Sequence, residues 1–151
     1  MDPIPTHLLH LPWYAPHQAW LRDHDLPHHD PGDVEPERAD LRGADLIKAN
    51  LTKANLTKAN LTGADLAGAD LTKVNLYGAS LGEAYLYEAD LTEANLTGAN
   101  LYGADLTKAD LTDADLTRTD LGDADLSDTN LTGVDLSDTV LIGTILDETN
   151  T

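Results

Sequence analysis

Leucine stands at every fifth position from Leu41 to Leu146 without one omission, and no other feature of the chain narrows its folds as much. A period of five fits neither standard element. On an α-helix, five steps of about 100° carry each leucine roughly 140° around the axis, so the file would wander over every face. On a flat strand an odd spacing sends successive leucines to opposite sides. A chain that keeps them all inside must therefore turn once in each pentad. Turns of one sense at a constant interval wind the backbone into coils, and stacked coils form a solenoid whose hydrogen bonds run from coil to coil.

Two residues before each leucine stands alanine, except for Val74, Val134, Thr119, Thr129, Thr139 and Thr144. The residue between them is nearly always Asp or Asn, so the phrase reads Ala-(Asp/Asn)-Leu-x-x. Short polar side chains at that place can bond the turn backbone and, stacked, one another. Over residues 39–148 this phrase resembles the repeat of the pentapeptide-repeat family. The resemblance implies an all-β fold, a right-handed quadrilateral β-solenoid with four pentads to a square coil. It further implies about 5.5 regular coils in a rod roughly 26 Å long. The leucine and alanine columns would point inward, which makes Leu41, Leu46, Leu86, Leu106 and Leu146 core residues, while the other three positions face water.

Residues 1–38 break the pattern and hold all six histidines and both tryptophans. In the same frame Leu21, Leu26, Pro31 and Pro36 occupy leucine positions, which suggests a degenerate coil at 19–38; a short helix over about 16–23 is the competing reading, because proline suits a first helical turn. Either one would cap the open end of the core, with Ile4, Leu8, Leu9, Leu11, Trp13 and Trp20 as covering side chains and residues 149–151 as a tail. His24, Asp25, His28, His29 and Asp30 carry metal-ligating groups, but their spacing matches no structural zinc pattern, so no metal and no cofactor is expected. There is no cysteine and no apolar run of membrane length. The first residues carry Asp2 and four prolines where a signal peptide would carry a basic region and an unbroken apolar core. A cytoplasmic protein without a membrane partner is the expectation.

Catalysis is not expected. The repeats contain no histidine, their carboxylates lie on a convex surface, and every glycine among them falls at one of the two turn positions after a leucine. The chain reads as a non-enzymatic scaffold for protein–protein interaction, with an unidentified protein partner and no direct nucleic-acid contact. Its outward decoration is acidic, with net −13 over residues 39–148, and from Asp110 onward Arg118 is the only base against eleven acids. Asp113, Asp115, Asp123, Asp125 and Asp128 in that block are candidates for an acidic binding surface. Asp45, Asp65, Asp105 and Asp125 would stack in one file, interrupted by Tyr85. Solubility or salt adaptation explains such charge plainly. The alternative is mimicry of DNA before a DNA-binding enzyme, because the family includes members that bind DNA gyrase as DNA-like rods and protect it from quinolones. This chain departs from those members in lacking loop insertions and a C-terminal helix.

Two further groups stand out. Tyr77, Tyr85, Tyr87 and Tyr102 form a candidate aromatic patch, with Tyr102 placed between Gly82 and Gly122 in the four-pentad register. Val140, Ile142 and Ile145 make the outside of the last coil apolar, which predicts a homodimer through the C-terminal coil.

Overall fold

The computed structural model describes residues 39–147. The cap or degenerate coil expected within residues 1–38, the histidine group there, and the tail at 149–151 lie outside the described residues.

Each pentad first closes on itself. The Ala44 N–H donates to the Leu41 carbonyl at 3.0 Å, and the same bond recurs through the stack. The second residue after leucine lies at positive φ, from 54° at Lys48 to 78° at Gly143, in every pentad between Gly43 and Gly143 except that of Asp138. Positive φ at the third position marks a type II turn, a place that favours glycine. Glycine fills it at Gly63 and Gly98, yet Lys53, Glu93 and Asp113 fill it elsewhere, at a strain of about 1 kcal/mol each. The ladder offsets that strain, since the Lys53 N–H donates to Thr72 O in the next coil at 2.9 Å.

Three bonds per pentad then run between coils. Leu41 donates to Asn60 O at 2.7 Å and Gly43 to Thr62 O at 3.0 Å, both one coil onward, while Asn60 donates back to Ala39 O at 2.8 Å. Parallel bridges join residues twenty apart, from Asp40↔Asn60 to Asp120↔Val140, so four pentads complete a turn of the solenoid. Pairing lasts one residue before the chain bends again. Named strands are therefore confined to β1 (Asp125–Leu126) and β2 (Ile145–Leu146), which pair in parallel.

One N–H per pentad remains, on the first residue after leucine. The Asp or Asn before leucine takes it: Thr52 N–H donates to Asn50 Oδ1 at 3.1 Å and Thr92 N–H to Asp90 Oδ1 at 2.9 Å. This accounts for the Asp/Asn column, because only a two-atom reach from the backbone brings an oxygen onto the N–H two residues on. The bond is missing only where another residue stands in the column, at Ser80, Tyr85, Val140 and Ile145. Bonds between side chains of successive coils are sparser than stacking suggests; Asn95 Nδ2 donates to Asn75 Oδ1 at 3.3 Å, but stacked aspartates are all acceptors and cannot do the same.

The twenty-residue register gives the rod four sides. Side I carries Leu41, Leu61, Leu81, Leu101, Leu121 and Leu141; side II runs from Leu46 to Leu146, side III from Leu51 to Leu131 and side IV from Leu56 to Leu136. The two residues after each leucine form the corner to the next side. Inside, every leucine from Leu41 to Leu126 is at most 3% exposed, Leu86 and Leu106 among them. Leu131, Leu136, Leu141 and Leu146 are only partly buried and pack against that core from the last coil. Where alanine gives way to threonine the hydroxyls are satisfied. Thr119 and Thr129 donate to Leu96 O and Leu106 O at 2.8 Å, and Thr144 to Leu121 O at 2.7 Å.

Candidate interaction surface

The five candidate aspartates divide between two structural roles. Asp115 and Asp125 occupy the column before leucine, where Asp115 Oδ1 accepts the Thr117 N–H at 3.0 Å and Asp125 Oδ1 accepts the Ser127 N–H at 2.9 Å. Asp113, Asp123 and Asp128 occupy the positive-φ turn position. The Asp113 and Asp123 carboxylates sit where Gly133 and Gly143 would carry a Cβ, so a larger residue one coil onward would have to push them aside. The Asp128 N–H donates to the Asp147 carboxylate at 2.6 Å. In the register Asp123 lies at corner I/II, Asp125 on side II, Asp128 at corner II/III, Asp113 at corner III/IV and Asp115 on side IV. They encircle the rod and do not gather on one side.

Hydrogen bonding tunes several carboxylates. The Thr112 hydroxyl holds Asp110 below the ordinary carboxylate range, outweighing its partial burial, with help from the Thr112 N–H and Asn130. The hydroxyl and N–H of Thr117, then the Thr97 hydroxyl, do the same for Asp115. Burial raises Asp70, but bonds from Thr72 and Thr52 together overcome it and leave the group lowered. Asp40 is lowered by the Arg42 guanidinium, which holds it at 2.7 and 2.8 Å.

The four tyrosines are not equivalent. Tyr102, at corner I/II, lays its ring over Gly122, where a methyl group would stand 3.2 Å from the ring, and its hydroxyl donates to Asp123, which raises the phenol's pKa. Tyr87, at corner II/III, accepts a bond from Lys108 Nζ at 3.3 Å, and that ammonium lies 5.4 Å from the centre of its ring. Tyr77 stands at corner IV/I with its N–H capped by Asn75. Tyr85 takes an Asp/Asn position on side II, is 55% exposed, and pairs along the ladder with Asp65 below and Asp105 above.

Val140 lies on side I, Ile142 at corner I/II with 80% of its surface exposed, and Ile145 on side II. Sequence reasoning passed over Ile47, 47% exposed at corner II/III, in the same turn file as Ala67 and Tyr87. The period of twenty, not five, is the signal that would have found it. Sorted by that period, all the exposed large apolar side chains among the described residues fall on sides I and II or on the corners bounding them. Side III, corner III/IV and side IV have none. Among the described residues no helix is long and apolar enough to cross a membrane, and no three His, Cys, Asp or Glu side chains gather as metal ligands would.

A family model described as pentapeptide repeats matches the chain at residues 37–72, 75–113, 84–123 and 109–147. Among solved structures, a pentapeptide repeat protein, Rfr23, from the cyanobacterium Cyanothece 51142 is 44% identical over 65% of this chain and 63% of its own, with a TM-score of 0.48. The match thus spans less than two thirds of that relative. A pentapeptide repeat protein of Nostoc PCC 7120 is 35% identical over 68% of this chain and 84% of its own, with a TM-score of 0.57. QnrB1, a plasmid-mediated fluoroquinolone resistance protein, is 21% identical over 76% of this chain and 58% of its own, with a TM-score of 0.52, a likeness of fold alone. A comparison with curated proteins gives no match.

Proposed function

The chain belongs to the pentapeptide repeat family, and we propose that it is a non-enzymatic scaffold, a right-handed quadrilateral rod of about 5.5 coils that presents a fixed surface to a protein partner in the cytoplasm. Proteins of this family are generally structural or interaction proteins. One observation carries the reading. In a pentad with Asp or Asn before leucine, the ladder, the turn and that side chain together occupy all five N–H groups, so from Leu41 to Asp110 the backbone repeats with little change. Variation is then confined to outward side chains, which suits recognition and leaves the scaffold untouched. A capture experiment tests this with two rods, the native chain and one whose outward residues on sides I and II are reset to Thr and Asp. The native rod should retain a protein that the reset rod loses. Identical captures by both would end the proposal.

Mimicry of DNA is the second reading, and charge favours it. Net −13 along roughly 26 Å is about one charge per 2 Å, close to the ~1.7 Å of duplex DNA. The acids also encircle the rod as phosphates encircle a duplex. Inhibition of gyrase-type supercoiling at micromolar protein and low salt is the expected result, and supercoiling left untouched under those conditions removes this reading.

A homodimer through the last coil would be joined by Val140, Ile142 and Ile145. Each coil directs two N–H groups per pentad toward the C-terminal end and one carbonyl, as Leu41, Gly43 and Ala39 show. Two such ends facing each other about a two-fold axis bring together more donors than acceptors, so side chains would have to supply part of the contact.

A further inference from the structure

We propose that sides I and II are the docking face, and that they receive an arginine-rich segment of a protein partner, one guanidinium lying on Tyr85 between Asp65 and Asp105. The proposal rests on the scaffold reading and names the chemistry of its partner. Ile47, Tyr77, Tyr85, Tyr87, Tyr102 and the Val140–Ile145 group lie on these two adjoining sides and the three corners that bound them, which gives the face its limits. Apolar side chains scattered singly need no explanation, but their absence from side III, corner III/IV and side IV among the described residues gives the rod a front and a back.

Of the four residues that break the capping column, Tyr85 is the large aromatic one, set in the middle of the stack. Every other coil of that file carries Asp, until Ile145 in the last. Asp at position 85 would cap the Tyr87 N–H as Asp65 caps Ala67 at 3.1 Å and Asp105 caps Thr107 at 3.0 Å, and the tyrosine gives that bond up. Nothing in the rod is gained in return, since its hydroxyl meets no partner among the described residues and the residue is 55% exposed. Places where a chain breaks its own structural rule without local compensation are where function is to be sought.

The surroundings of Tyr85 select the ligand. Along the ladder its neighbours are Asp65 and Asp105, then Asp45 and Asp125, each step being about 4.8 Å. An aromatic face between carboxylates attracts a cation twice over, by the ring quadrupole and by charge. A planar guanidinium can stack on the ring and pair with a carboxylate at the same time, which an ammonium cannot do as well. The same coil already shows the interaction within the chain, for Lys108 lies 5.4 Å over Tyr87. Tyr87 is thus supplied with a cation and Tyr85 is not. Ile47 and Ala67, in the file that leads to Tyr87, offer the partner segment an apolar flank.

Side III supplies the control, because Asp70, Asp90 and Asp110 stack there as a file of acids with no aromatic residue among them. Fluorescence anisotropy with labelled hepta-arginine and hepta-lysine peptides at about 0.15 M salt reads the difference. The native chain should bind hepta-arginine about fivefold tighter than hepta-lysine. Tyr85→Asn, which restores the capping oxygen and so keeps the fold, should bring that ratio to about one. Asp65→Asn with Asp105→Asn should weaken both peptides, and Asp70→Asn with Asp110→Asn should leave the ratio as it is. A ratio unchanged by Tyr85→Asn, or native binding without any preference, overturns the inference, as does equal weakening from the side II and side III pairs. A rod that captures a protein yet shows no arginine preference sinks this inference and spares the scaffold reading; a rod with the preference and no difference in capture does the reverse.

Discussion

Leu86 and Leu136 hold the same place in the same phrase, yet Leu86 is fully buried and Leu136 only partly. Leu86 has described coils on both sides of it. Leu136 lies in the last coil and has one on a single side. Burial here is a property of the stack and not of the pentad, as expected where each repeat contacts only its neighbours. The ladder loosens in the same place. Asp115 and Asp135 form no bridge, Asp138 lacks the positive φ of its column, and the Arg118 N–H turns to Asp138 O at 3.1 Å, one residue beyond its usual register.

The largest test of that contrast is truncation of the two leucines. Leu86→Ala should destabilise by about 2 to 5 kcal/mol in urea unfolding, because the stack cannot collapse around a gap covered above and below. Leu136→Ala should lose less than half as much, and equal losses would mean that the last coil is as closed as the middle. Interior threonines give the next step down. Thr129→Val removes a buried bond of 2.8 Å to Leu106 O and should cost about 1 kcal/mol, whereas Thr144→Val in the last coil should cost less, since water can replace what is lost at Leu121 O.

Capping reads the contrast from outside the core. Asp110→Ala deletes the acceptor that holds the Thr112 N–H at 2.9 Å and should destabilise by about 1 kcal/mol, while Asp110→Asn keeps an oxygen there and should be close to neutral at pH 7. Acid should produce the smallest change per residue. The folded pKa of Asp110 is lowered below 3.8, so its contribution is complete above about pH 4 and is lost as the pH falls through the folded value. Thermal melts should show the native chain and Asp110→Asn nearly alike at pH 7 and the native chain falling behind below pH 4, and a native gain there would reverse the sign of the argument.

Much of this was legible in the sequence because the five-residue period left one solution. The core column, the role of Asp and Asn beside the turn, and the place of Tyr102 over Gly122 all follow once the period is combined with the family's four-pentad coil. The positive φ at Lys48, Lys53 and Glu93 was not legible, since these residues carry no local preference for that conformation and adopt it because the ladder beyond rewards it. Thr119 and Thr129 read as mere exceptions to alanine until their Leu96 and Leu106 carbonyl partners appeared. The placement of the acidic block around the rod also needed the coil. A coil of twenty residues carries the acids from Asp110 onward around all four sides.

The two-to-one direction of the inter-coil bonds has an electrical consequence. A peptide group whose N–H points one way carries its dipole along that axis, so two groups up and one down leave a net of about one peptide dipole, ~3.5 D, per pentad. Summed along the rod, these make the C-terminal end positive and the N-terminal end negative in backbone partial charge. Side-chain charge runs the opposite way, with Arg42, Lys48, Lys53 and Lys58 in the first coil and Asp120, Asp123, Asp125, Asp128, Asp135 and Asp138 toward the other end. The decoration therefore opposes the field of its own scaffold, as acids at a helix N-terminus do, and each end of the rod carries side chains of the sign its backbone attracts.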